Sequence, residues 1–136
     1  EYGVISAYSA EELFENSDVI SLHMPLLDDT RKCVNYNLLS RMPENGIIIN
    51  TARKEVINEE DLMRIMEERP KFKYITDVKP DLHEQFEAKF PMRYYATPKK
   101  SGAQTSEANI NAGLAAARQI VAFFKFGDDR YRVNPK

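Results

Sequence analysis

An arginine directly after a predicted buried strand is the residue best suited to chemistry in this sequence. Arg53 follows the segment 46–52 (GIIINTA), where a glycine and three β-branched residues predict a buried parallel strand. In open α/β sheets, ligands bind at the carboxyl ends of the strands. A planar guanidinium there can hold a carboxylate through two parallel hydrogen bonds. Alone, the pattern is more typical of an ordinary surface arginine, so the rest of the chain must decide between the two interpretations.

Cysteine and histidine give weaker signals. Cys33 is the only cysteine, which excludes an internal disulfide and fits a reducing cytoplasm. It lies on a predicted helix with no histidine nearby, which favours a structural role over a nucleophile. His23 ends a buried strand and is more typical of packing, while His83 lies in a charged, solvated loop. No cluster of His, Cys, Asp or Glu has metal-ligand spacing, so no metal site is predicted.

The composition is that of an ordinary globular domain. The chain has 136 residues, of which 43% are hydrophobic and 29% charged, with a net charge of −2. This balance favours neither nucleic acid nor an anionic membrane surface as a partner. No apolar run has the length of a membrane span, and no signal peptide is present, so we expect a cytoplasmic protein. The chain opens on Glu1 rather than methionine, from which we expect a fragment of a longer protein.

Strand and helix patterns alternate along the chain. Strands are predicted at 18–26, 46–52, 72–78 and 92–97, and helices after Ser9, at 29–42, at 58–69 and at 105–126, with a charged irregular segment at 80–91. Gly127 should cap the last helix, whose apolar stripe (Ile110, Leu114, Ala117, Val121 and Phe124) is typical of core packing. The alternation predicts an α/β fold with a parallel sheet covered on both faces. No glycine-rich phosphate-binding turn is present, so we expect a partial doubly wound (Rossmann-like) parallel sheet with flanking helices.

Five short segments carry a family resemblance because they stand in a particular order. They are 17–26 (SDVISLHMPL), 49–53 (INTAR), 76–78 (TDV), 96–98 (ATP) and 102–108 (GAQTSEA). Together they resemble the carboxyl-terminal half of the D-2-hydroxyacid dehydrogenases and cover nearly the whole chain. Within that family, the segment from Thr97 and the tail are most similar to the short phosphoglycerate dehydrogenases.

The resemblance implies NAD as cofactor and a 2-hydroxy acid as substrate. Arg53 would bind the substrate carboxylate and carbonyl, and Asp77 would contact the nicotinamide. The implied cofactor-binding residues are His23, Met24, Pro25, Thr51, Ala52, Arg53, Asp77, Lys99 and Gly102. The resemblance also implies that residues 1–104 are the second half of the NAD-binding domain. Residues 105–136 would be a long interdomain helix and a tail returning to a substrate domain. Residues 2–8 lie near the family's dimer-forming arm, which implies a homodimer.

The sequence departs from its relatives where acid–base chemistry is expected. Most relatives have a histidine after the Thr-Pro pair, held by a glutamate; here Lys99 stands in the histidine position and Leu82 in that of the glutamate. Asp81 or Glu84 is close enough in sequence to compensate. Of the three catalytic candidates, Arg53, Lys99 and Asp81, the last is the weakest. The glycine pair that usually follows the arginine is replaced by Lys54-Glu55.

The replacement of histidine by Lys99 leaves three interpretations open. A lysine has no tautomer to fix, so losing the glutamate along with the histidine is chemically consistent. Lys99 could act as a base if Lys100 and a cationic nicotinamide lowered its pKa. Alternatively it binds a substrate phosphate as a point charge, or it is part of a solvated basic turn.

The resemblance therefore predicts an NAD-dependent oxidation of 3-phospho-D-glycerate in serine biosynthesis, with Arg53 and Lys99 as the catalytic residues. A related dehydrogenase acting on glyoxylate, hydroxypyruvate or D-lactate is an alternative. A second alternative is a non-catalytic, NAD-sensing corepressor-like scaffold, which the missing histidine–glutamate pair keeps open.

Overall fold

A four-stranded parallel sheet organises the amino-terminal part of the protein. The computed structural model describes residues 3–98 and 105–133. The strands are β1 (Val19–Leu22), β2 (Ile47–Asn50), β3 (Lys73–Thr76) and β4 (Tyr94–Ala96), paired in parallel in the order β1-β2-β3-β4. The register places Leu22 beside Asn50 and Asn50 beside Thr76. The carboxyl ends of the strands therefore meet at one edge, as a parallel sheet requires.

Helices precede, connect and follow these strands. They are α1 (Ala10–Glu15), α2 (Tyr36–Leu39), α3 (Glu59–Glu68), α4 (His83–Lys89) and α5 (Ser106–Phe126), and a 3-10 turn spans Lys54–Val56. Among the described helices, three are capped by side chains: the Ser9 hydroxyl accepts from the Glu12 amide and the Thr105 hydroxyl from the Ala108 amide, each at 3.1 Å, and Asn35 Oδ1 accepts from the Leu38 amide at 3.3 Å. Gly127 ends α5 with φ of 66°, which confirms the predicted glycine cap.

Only one face of the sheet is buried, which corrects the expectation that both faces are covered. Ile20, Ile48 and Tyr74 are at most 5% exposed, whereas Val19 and Tyr95 on the opposite face are more than half exposed. The sequential strand order explains the difference. Right-handed crossovers that always step to the next strand on the same side place every connecting helix on the same face.

The predicted helix at 29–42 was wrong in extent, since only Tyr36–Leu39 is helical. Lys32 has a left-handed φ of 52°. The Val34 amide bonds to the Val56 carbonyl, and the Val34 carbonyl accepts from Asn58, so Val34 is paired with a distant segment. Backbone pairing of this kind excludes intrahelical bonds and overrides the local helical pattern. Conversely, the segment at 80–91, which was predicted to be irregular, contains the seven-residue helix α4.

The chain divides into two compact units, 1–100 and 101–136. In the second unit, α5 has no buried residue. Its predicted core stripe includes Ile110, which is 62% exposed, and Phe124, which is 80% exposed, so the expected packing is not formed within the described residues. Across the described part of the chain, no helix combines the length and apolarity needed to span a membrane.

Candidate functional site

A cleft of about 480 Å³ opens where β1 and β2 end. Its walls are two consecutive segments, one following each strand: His23, Met24, Pro25 and Leu26 on one side, and Thr51, Ala52 and Arg53 on the other. Six of the seven are residues predicted above to contact a cofactor, and the structure brings them together in one place. The position is the one that parallel strands dictate, because both walls begin at the carboxyl edge of the sheet.

Asn50 shapes the β2 side of the cleft. This side chain is fully buried at the end of β2. Its Oδ1 accepts from the Ala52 amide at 3.0 Å, and its Nδ2 donates to the Arg53 carbonyl at 2.9 Å. One amide thus satisfies both polar groups of a tight turn and fixes the backbone that carries Arg53. Sequence reasoning missed this role, although a polar residue ending an apolar strand was its signal.

The Arg53 guanidinium is exposed at the mouth of the cleft. Its only hydrogen bond within the described structure runs from Nη1 to the Ala52 carbonyl at 3.1 Å. No carboxylate in the described ranges pairs with it, so most of its donors remain free. A guanidinium in this state can donate two parallel hydrogen bonds to an anion, and a carboxylate or phosphate matches its geometry.

His23 joins the two walls. Its Nε2 lies 2.8 Å from the Ser21 hydroxyl, and its Nδ1 lies 3.5 Å from the Thr51 hydroxyl. These contacts orient the ring and connect the end of β1 to the end of β2. The arrangement suits a lining residue that holds the cleft open.

Asp77 lies one strand further along the same edge. Its amide donates to the Asn50 carbonyl at 3.2 Å, which places it beside the turn that carries Arg53. Its Oδ1 is buried and has no hydrogen-bond partner among the residues that the structure describes. A buried acceptor without a partner costs about 1–3 kcal/mol, and a ligand N–H donor would remove that cost. The residue does not line the cleft of β1 and β2 but faces a neighbouring part of the edge.

Asp81 pairs with a residue other than Lys99, the predicted base. Its carboxylate forms an ion pair with the Lys54 ammonium, although 74% of the Asp81 side chain is exposed. This hydrogen bond is the main reason that the pKa of Lys54 lies above its usual value. A catalytic role for Asp81 would require this pair to open. Lys99 and Gly102 lie outside the described residues, so their predicted roles stay predictions.

Cys33 and the acidic residues do not form a further centre. The Cys33 thiol lies 3.6 Å from the Met24 sulfur, and its partial burial raises its pKa, which makes it a poor nucleophile. Among residues 3–98 and 105–133, no group of three or more His, Cys, Asp or Glu side chains is arranged to hold a metal.

Comparison with known proteins identifies the family. The profile described as D-isomer specific 2-hydroxyacid dehydrogenase, NAD binding domain, matches residues 1–98. The D-3-phosphoglycerate dehydrogenase of Haemophilus influenzae is 30% identical over 134 residues, covering 93% of this chain and 32% of that protein. The glyoxylate reductase of Aeropyrum pernix is 26% identical over 120 residues, covering 85% of this chain and 35% of that protein.

A solved structure shows the same fold. The NAD⁺-bound 3-phosphoglycerate dehydrogenase of Entamoeba histolytica superimposes with a TM-score of 0.78 at 47% identity, covering 99% of this chain and 45% of that one. The chain thus spans less than half the length of the relatives it matches. The profile, the relatives and the fold agree with the sequence resemblance: the chain belongs to the D-isomer specific 2-hydroxyacid dehydrogenases, as part of their NAD-binding domain.

Proposed function

We propose that the chain is part of an NAD-dependent dehydrogenase that oxidises 3-phospho-D-glycerate to 3-phosphohydroxypyruvate in serine biosynthesis. The observation that carries the proposal is the unpaired guanidinium of Arg53 at the mouth of a cleft built by two strand ends. The similarity to two phosphoglycerate dehydrogenases supports the choice of substrate.

The described residues fit the nicotinamide end of NAD. The buried Oδ1 of Asp77 needs a donor, and the carboxamide of the cofactor has two N–H groups. The Asn50 side chain holds the neighbouring backbone of Ala52 and Arg53 in place. When bound, NAD supplies the hydride acceptor of the reaction. The role of this chain is to orient the ring and the substrate against each other.

Arg53 binds the substrate carboxylate and polarises the carbonyl that develops at C2. Its backbone is fixed by Asn50, so only the side chain must move to reach the substrate. A fixed positive charge beside a developing carbonyl oxygen stabilises the transition state more than the ground state.

Lys99 accepts the proton of the C2 hydroxyl when the substrate is oxidised. It follows Thr97 and Pro98, and the Thr97 amide bonds to the Thr76 carbonyl beside Asp77. A neutral lysine at working pH is required for this role, and neighbouring positive charge lowers a lysine pKa in the needed direction.

A smaller 2-hydroxy acid is the second candidate substrate, because the Aeropyrum glyoxylate reductase is among the relatives. The Arg53 site would serve either class, since both substrates present a carboxylate beside the reacting carbon. A homodimer and a cytoplasmic location are also part of the proposal, and sedimentation of the full-length protein would test the first.

Steady-state kinetics of the full-length protein test the proposal. With NAD, 3-phospho-D-glycerate should give a kcat/KM above those for D-glycerate, glycolate and D-lactate. Replacing Arg53 by Ala should lower kcat/KM about a hundredfold or more, because a fixed carboxylate anchor is lost. Replacing Lys99 by Ala should lower kcat and remove its dependence on pH.

Arg41→Ala is the matched control for Arg53, because Arg41 is exposed and lies on the segment that follows α2, away from the cleft. Wild-type kinetics for Arg53→Ala would refute the anchor. Turnover of Lys99→Ala within a few-fold of wild type at every pH would refute the base. Absence of turnover by the intact wild-type protein on all four acids would favour the corepressor-like alternative.

A further inference from the structure

Two segments that carry candidate functional residues are held together by side-chain contacts next to the carboxyl edge of the sheet. The first runs from Arg53 to Glu59, and the second is the loop from Asp77 to Leu82. Glu59 lies in the first turn of α3 with only 8% of its surface exposed. Its two carboxylate oxygens accept from the Asp81 amide at 3.0 Å and the Leu82 amide at 2.8 Å. The buried carboxylate thus holds the second segment by its backbone.

Lys54 adds a second tie at the outer end of the same contact. Its ammonium pairs with the Asp81 carboxylate, and 32% of the Lys54 side chain is exposed. The two residues, with Glu55, Glu59 and Leu82, line a hollow of about 250 Å³ between the segments. A side chain that joins the two walls of a hollow controls how far apart those walls stand.

These contacts close a ring around the candidate site. Asn50 fixes the Arg53 carbonyl through its side chain and the Asp77 amide through its carbonyl. Lys54 comes next after Arg53, and Asp81 lies four residues after Asp77. The ring therefore runs from Asn50 to Arg53 and Lys54, across the ion pair to Asp81, and back through Asp77.

We propose that Lys54 is a positioning residue that acts through Asp81 to fix the separation between Arg53 and Asp77. The inference rests on the proposed function, in which Arg53 holds the substrate and Asp77 holds the nicotinamide. A link between two binding residues sets the geometry in which their ligands meet, and has little effect on either binding step alone.

The raised pKa of Lys54 supports a standing link. The ammonium is stabilised mainly by its hydrogen bond to Asp81, so Lys54 stays charged throughout the neutral range.

The test uses the full-length protein and four variants: Lys54→Met, Lys54→Arg, Asp81→Asn and the Lys54→Met/Asp81→Asn pair. We expect Lys54→Met to lower kcat about tenfold, because small errors in reacting geometry are costly, while the NAD dissociation constant changes less than about twofold. Asp81→Asn should show the same loss, the pair no further loss, and Lys54→Arg should restore kcat. Lys79→Met is the matched control, since Lys79 is an exposed lysine of the same loop.

Ionic strength gives a second, independent readout. The pair is solvent-exposed, so salt should screen it; at about 1 M NaCl the screening length is about 3 Å. The wild-type kcat should fall toward that of Lys54→Met as salt rises, while the variant changes little. A purely structural role would lower the melting temperature without producing this convergence.

Hydrogen exchange separates failure of this inference from failure of the proposed function. The Asp81 and Leu82 amides should exchange about two- to fivefold faster in Lys54→Met, the range that a surface ion pair allows. Faster exchange in a protein that does not oxidise 3-phospho-D-glycerate would uphold the link and reject only that substrate. Unchanged exchange, or a kcat loss in Lys54→Met that Asp81→Asn does not share, would overturn the inference.

Discussion

Asp77 and Arg53 show how single side chains at a sheet edge are left incomplete. One has a buried oxygen without a donor, and the other has a guanidinium without an anion in the described structure. Protein groups in this state are stabilised when a complementary ligand arrives. The two residues follow neighbouring strands, β2 and β3, at one edge of the sheet, so two ligands bound side by side can satisfy both.

At the residue scale, Asp77→Ala should raise the NAD dissociation constant of the full-length protein about tenfold, because the carboxamide loses a charged acceptor. The ligand-free protein should be no less stable, since Oδ1 gives up no hydrogen bond. Calorimetric titration and urea unfolding measure the two effects. Asp18→Ala is the control, because Asp18 is an exposed carboxylate just before β1, at the opposite edge of the sheet. A variant that binds NAD as tightly as wild type would exclude the contact.

Most residues of the candidate site were predicted from the sequence, but the residues that hold them in place were not. Arg53, Asp77 and His23 stand in short ordered segments that a family resemblance exposes. Asn50 and Glu59 were not predicted, because their roles depend on burial where two distant segments meet. Their side chains are polar within apolar surroundings, and only the folded chain shows which backbone groups they satisfy.

At the element scale, the strands were easier to predict than the connections between them. All four strands lie inside the predicted intervals, since runs of apolar β-branched residues are strong local signals. The helix at 29–42, predicted too long, and α4, in a segment predicted as irregular with some helical pattern, both lie in connections, where distant backbone pairing and side-chain packing decide. The prediction that both faces of the sheet are covered was wrong, because the apolar pattern of a strand does not reveal on which side of the sheet the crossovers run.

Two glycines should respond in opposite directions to alanine. A Cβ at Gly46, just before β2, would lie 2.8 Å from the Phe72 ring and 3.1 Å from the Pro43 carbonyl. Gly46→Ala should therefore lower the free energy of unfolding by about 1–3 kcal/mol through overpacking. Gly113 lies inside α5, where a Cβ meets nothing within 4 Å.

Gly113→Ala should accordingly stabilise α5 by about 0.5–1 kcal/mol, because alanine loses less backbone entropy in a helix. Urea unfolding, followed by circular dichroism, measures both variants against wild type. Equal effects of the two substitutions would contradict the packing argument for Gly46.

At the scale of the whole molecule, one aromatic core joins the sheet to α4. Tyr74 and Tyr94 pack against Phe86, with ring centroids between 5.2 and 5.7 Å apart. Burial raises the pKa of Tyr74 to about 12 and also raises that of Tyr94. The Tyr74 hydroxyl of the folded protein therefore stays neutral at a pH where the same hydroxyl of the unfolded chain ionises.

The free energy of unfolding should fall as pH rises from about 10 to 12. Below pH 10 neither state is ionised at Tyr74, and above it the unfolded chain releases its proton first, which favours unfolding by about 2 kcal/mol at pH 12. Urea titrations across this range should show a shallower fall in Tyr74→Phe. Tyr95→Phe on the exposed sheet face is the control. The same slope in Tyr74→Phe and wild type would show that another group governs alkaline unfolding.

The one-directional order of the strands also bears on how such a protein can diversify. Each strand–helix unit is added beyond the previous one, so β3 and β4 extend the sheet away from the two strands that build the cleft. Insertions or deletions in the segments that lead into β3 and β4, at the amino ends of the strands, would change the breadth of the molecule and leave the walls formed after Leu22 and Asn50 in place. The size of the molecule and the shape of this cleft can therefore vary independently during evolution.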